Sequence, residues 1–109
     1  MILVGAAALM ATVVSSCATP AAAGRIRAAH PGATFQASVR GCDVHPRAGG
    51  RHFGRDARAA VLWARQMVGA ARLTACEVAV DAVDGDARYR AYEIARDAAG
   101  ELTERVLVP

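Results

Sequence analysis

The stretch that decides the fold is Cys76–Val108, CEVAVDAVDGDARYRAYEIARDAAGELTERVLV. Cys76, Val78, Val80 and Ala82 alternate with Glu77, Ala79, Asp81 and Val83, the period-two pattern of a strand with one buried face. Cys76 therefore points to the core with the valines. Asp84-Gly85 predicts a two-residue type I′ turn, which sets Val80 opposite Tyr89, Val78 opposite Ala91 and, on the outer face, Asp81 opposite Arg88. Tyr92 and Ile94 have the wrong parity for the face of Tyr89, so a bulge is expected near Ala91. Asp97-Ala98-Ala99-Gly100 then supplies Asp at the first and Gly at the last position of a type I turn, and Leu102, Val106 and Val108 complete a final strand. Ala, Glu and Arg also permit a helix over Ala91–Leu107, but Gly100 and the closing Val106-Leu107-Val108 favour the hairpin.

Upstream, Arg55–Val68 has helical periodicity. Ala57, Ala60, Val61, Ala64, Met67 and Val68 fall on one arc, with Trp63 at its edge. A separate arc carries Arg55, Arg58, Arg65 and Arg72 around Leu62, a candidate surface for anionic lipid or an acidic envelope partner. Asp43–Gly54 holds Pro46, Gly49, Gly50 and Gly54 and reads as a loop. Before it, Thr34–Cys42 alternates as a strand until Gly41, where a break in parity turns Cys42 inward. These elements predict an α+β domain over residues 33–109, with a small antiparallel sheet of about four strands, one helix on one face and the order β-α-β-β-β.

The N-terminus carries no charge through Gly24, and Ile2–Val14 is apolar but too short to span a bilayer comfortably. Val14-Ser15-Ser16-Cys17 resembles the lipobox of bacterial lipoproteins. That resemblance implies a signal peptide over residues 1–16, diacylation of Cys17, and membrane attachment through N-terminal acyl chains. Ala18 after the cysteine implies an outer-membrane lipoprotein facing the periplasm. No Lys or Arg follows Met1, a departure from the usual export signal, and cleavage after Ala21-Ala22-Ala23 would instead release a soluble periplasmic protein. Residues 17–32, with Pro20, Gly24 and Pro31, read as a lipidated tether.

Either cleavage leaves Cys42 and Cys76 in an oxidising compartment, where a disulfide between them is expected. All 13 basic residues are Arg, so arginine content is a compositional bias and does not argue for nucleic acid, from which an exported protein is also separated. Charge is nonetheless uneven, with nine Arg against two acids over Arg25–Ala75 and four Arg against eight acids thereafter.

A helix followed by an alternating strand, then Tyr92-Glu93-Ile94 and Asp97–Glu101 leading to Val106-Leu107-Val108, resembles the three-strand end of PepSY domains, small exported modules with protease-inhibiting or envelope roles. The likeness covers about 50 residues, and the cysteine pair departs from that family's pattern. No nucleophile turn or phosphate-binding glycine loop is present in the sequence, and no cofactor is expected. The reading is a noncatalytic interaction or structural module of the cell envelope. The alternative is a zinc- or copper-binding protein using Cys42, His45 and His52, with Asp43 or His30 nearby, a set that conflicts with oxidation of Cys42.

Overall fold

The computed structural model describes residues 20–41, 51–71 and 75–107. A helix over residues 20–29 (α1) leads into β1 (Thr34–Arg40), followed by β2 (Arg51–Gly54), α2 (Ala57–Ala70), β3 (Cys76–Asp84), β4 (Ala87–Arg96) and β5 (Leu102–Val106). All five strands lie in one antiparallel sheet in the order β2-β1-β3-β4-β5. The α+β class is as the sequence indicates, but the order and the counts differ.

Two expectations need correction. Residues 20–29 are helical where the sequence suggested tether, and Ala22, Ala23 and Ile26 are buried. Ordered chain thus starts well before Ala33. Arg51–Gly54, read as the end of a loop, is a short edge strand, with Phe35 opposite Gly54 and Ala37 opposite His52.

The main helix matches its sequence signal. Asp56 caps it, its carboxylate accepting from the Arg58 amide at 3.0 Å, and Ala57, Ala60, Val61, Ala64, Met67 and Val68 are the buried positions. They pack with Ile26, Phe35, Val78, Val80 and Tyr92 in a single core between the helices and the sheet. Trp63 packs against that core from the flank.

The β3–β4 hairpin keeps its place and changes its register. Asp84 pairs with Ala87, so Gly85 and Asp86 are the central turn residues. Gly85 has φ +61°, and among the described residues none other than glycine has positive φ. A type I′ turn over Asp84-Gly85 would require positive φ at Asp84, whereas glycine alone at the first central position suits type II′. The two-residue slip puts Ala82 opposite Tyr89 and Asp81 opposite Arg90. The bulge falls where parity demanded it: beyond Val80 the pairing resumes with Tyr92, leaving Ala91 as the extra residue, its carbonyl accepting from the Leu107 amide at 2.9 Å. Val80 and Val78 consequently face Tyr92 and Ile94 instead of Tyr89 and Ala91. Tyr89 is half exposed.

The second turn forms as expected. The Gly100 amide donates to the Asp97 carbonyl at 2.9 Å, the Asp97 side chain accepts from the Glu101 amide at 2.8 Å, and β5 pairs with β4 from Arg96–Leu102 to Tyr92–Val106. The region is a hairpin and not a helix.

Candidate functional site

Both helices contribute to the one core, so the sheet face opposite them carries no helix among the described residues. On that face the outward positions of β3, β4 and β5 bring charges together. Asp81 accepts from Arg90 Nε at 2.6 Å and from Arg88 Nη1 at 3.2 Å. Arg90 continues through Nη1 to Glu93 at 3.0 Å, and Arg105 lies 3.6 Å from the same carboxylate. Arg88 also donates to the Gln36 side chain on β1 at 3.1 Å. The result is a chain of alternating sign, Arg88–Asp81–Arg90–Glu93–Arg105, crossing three strands. The hydrogen bond to Asp81 outweighs partial burial and raises the pKa of Arg90.

Beside this chain, Glu77, Glu93, Ala95, Thr103 and Arg105 line a depression of about 280 Å³. Ala79 and Ala95 keep the centre of the face low, while the long side chains stand around it. Such a surface can receive a polar partner through hydrogen bonds and ion pairs. The sequence signalled part of it, since the Asp81–Arg88 contact forms, although as a diagonal of the slipped register.

The arginine stripe of the main helix does not stay together. Arg55 and Arg58 are exposed and Leu62 is 38% exposed, but Arg65 turns toward β5. Its Nε donates to Glu104 at 2.7 Å and its Nη2 lies 2.6 Å from the same oxygen, which also accepts from the Tyr92 hydroxyl. Arg65 therefore ties helix to sheet. Burial opposes its charge, yet its hydrogen bonds to Tyr92 and Glu104 prevail and raise its pKa. Burial first, then the Glu104 carboxylate, pushes the Tyr92 phenol well above its ordinary range. Arg72, the stripe's last member, lies outside the described residues.

Across a wide range of proteins, no family model, curated protein or solved structure matches this chain. Its function must be read from its own residues.

Of the residues of the metal alternative, only His52 and His30 are among those described, and these two lie apart. His52 on β2 lies against Trp63, ring centres 5.9 Å apart, and His30 stacks on Tyr89 of β4 at 5.2 Å. β1 and β3 run between those two strands, a separation of about 14 Å at 4.8 Å per strand, so the two imidazoles cannot share an ion. Cys42, Asp43 and His45 lie outside the described residues. Among the described residues, no group of three or more His, Cys, Asp or Glu is placed to hold a metal. Cys76 is buried and disulfide-bonded. The other two cysteines, Cys17 and Cys42, both lie outside the described residues.

Proposed function

We propose that this protein is a small exported envelope module, anchored through acylated Cys17, that works by noncatalytic binding through the uncovered face of its sheet. The observation that carries the binding role is the charge chain Arg88–Asp81–Arg90–Glu93–Arg105 on a face that no described helix covers. Solvated ion pairs of this kind contribute only about 0–1 kcal/mol each to stability. Four such pairs linking five residues across three strands are better suited to orienting a partner than to holding the fold.

Export is supported by the disulfide at Cys76, a bond characteristic of oxidising compartments, and by the lipobox-like Val14–Cys17. Cys42 is the assigned partner of Cys76. β1 ends at Arg40, opposite Glu77, the neighbour of Cys76, and Cys42 follows two residues later in the sequence. Envelope attachment on the periplasmic side of the outer membrane follows from the Ala18 that succeeds the cysteine. The PepSY likeness, over about 50 residues from the helix to the last strand, adds that exported modules use this kind of hairpin end.

The test is intact mass and fractionation. Acyl mass on Cys17 in the membrane fraction, lost in Cys17→Ser with release of the protein to the soluble fraction, supports the anchor. Unmodified, cytosolic protein overturns it. For the binding role, a partner crosslinked to the wild type should be lost on reversing Arg90 and Arg105 to Glu; undiminished crosslinking would remove the face from consideration.

A further inference from the structure

The two edges of the sheet are not alike. β2, at one edge, has four residues, whereas β5, at the other, has five, pairs with β4 without a bulge and contains no proline. Among the described residues, no strand pairs with its outer side. Such an edge is a template for another strand unless something blunts it. Glu104, the charge it turns toward the helices, does not blunt it, because Arg65 and Tyr92 already satisfy the carboxylate. We infer that β5 is a self-association edge: two copies of this chain join antiparallel through β5, about a two-fold axis at Thr103, and their sheets become one.

Bonds to β4 fix which backbone groups face outward. The Leu107 amide donates to the Ala91 carbonyl at 2.9 Å, and the Glu101 carbonyl accepts from the Asp97 amide at 3.0 Å, so the odd-numbered residues of this strand turn their backbone groups to β4. Leu102, Glu104 and Val106 turn theirs to the open edge. With the axis at Thr103, Leu102 of each copy lies opposite Glu104 of the other, and the two residues exchange both N–H···O bonds. A two-fold pairing of this kind is isologous and closes at two copies instead of growing.

Side chains choose the axis. Thr103 and Arg105 stand on the open face opposite Ala95 and Glu93, and Glu101, one rung beyond and opposite Asp97, shares their parity. Glu101 is exposed, and so is the Arg105 side chain, by 62%. An axis at Thr103 sets Arg105 of each copy opposite Glu101 of the other, an ion pair made twice, and brings the two β-branched Thr103 side chains together. An axis at Glu104 would set that carboxylate against its own copy, and an axis at Arg105 would oppose two guanidinium groups; like charges directly opposite destabilise a ladder. On the helix side, the 46%-exposed Leu102 gains cover from the second copy's Glu104 stem. On the open face, the charge chain that ends at Arg105 continues into the second copy through its Glu101.

The test is cysteine crosslinking of the full chain, oxidised without denaturant, with the link mapped by peptide mass. In Thr103→Cys the two substituted positions face each other as a non-hydrogen-bonded pair with Cα atoms about 4.5 Å apart, within disulfide reach. In Arg105→Cys they are about 14 Å apart along the strands and out of reach. Thr103→Cys should therefore give a covalent dimer linked at position 103 of both chains, in several-fold greater yield than Arg105→Cys. Adding Glu101→Arg to Thr103→Cys should reduce that yield several-fold, and adding Arg105→Glu as well should restore it; urea midpoints measured alongside show that these surface changes leave the fold in place. Monomer from Thr103→Cys, or equal yields at the two positions, would overturn the pairing. A yield that Glu101→Arg leaves unchanged would overturn the ion pairs that set the axis.

Discussion

Glu104 accepts hydrogen bonds from two side chains on different elements, and its loss should be felt at both. In Glu104→Gln the Arg65 charge, only 16% exposed, loses its counterion, and the charge-assisted bond is worth about 1.5–3 kcal/mol. Urea unfolding should show a loss of that size, larger than Arg88→Ala, whose partner Asp81 keeps Arg90. The same substitution should lower the pH at which the Tyr92 phenol ionises, read at 295 nm in a Tyr89→Phe background, because Glu104 contributes to raising it. Linkage fixes the sign of the pH effect. The folded pKa of Tyr92 lies above its ordinary 10.0, so the associated stability is fully present below pH 10 and lost as pH climbs beyond it. Tyr92→Phe should flatten that alkaline decline; an unchanged slope would assign it elsewhere.

Between elements, what the sequence made legible divides along the strength of local signals. The main helix was legible because six small or aliphatic residues share its arc, and the last two hairpins because alternation and turn residues agree. The bulge at Ala91 was legible from parity alone. The register of the first hairpin was not, since Asp84-Gly85 and Gly85-Asp86 offer glycine to two different turn types and the choice is made by pairing across the sheet. α1 was missed because Ile26 is its only large apolar residue; its helix rests on burial against the core, which no local pattern records. Ile26→Ala should therefore cost about 2–5 kcal/mol and raise hydrogen exchange over residues 20–29 before elsewhere. By contrast, Asp56→Ala removes a cap from an already well-buried helix and should cost about 0.5–2 kcal/mol, with exchange rising only in the first turn of α2.

On the scale of the whole molecule, the described residues are arranged one-sidedly: two helices pack on one face of a five-stranded sheet, and the other face carries the charge chain. A single core of this thickness, in a body of about 90 residues, has a stability of order 5–10 kcal/mol, so one covalent link is a large share of the total. Cys76 sits in that core at the start of β3, opposite the end of β4, and its disulfide joins the sheet to chain outside the ladder. With Cys42 as the other half, the bond closes about 35 residues that include β2 and α2, and the chain-entropy estimate is about 3–4 kcal/mol. Reduction should therefore lower the urea midpoint by an amount equivalent to most of that figure, and Cys42→Ser should reproduce the shift without reductant. If Cys42→Ser leaves the midpoint unchanged while Cys76→Ser lowers it, the bond is made elsewhere, and the packing of the 3%-exposed Cys76 side chain is what the second substitution reports.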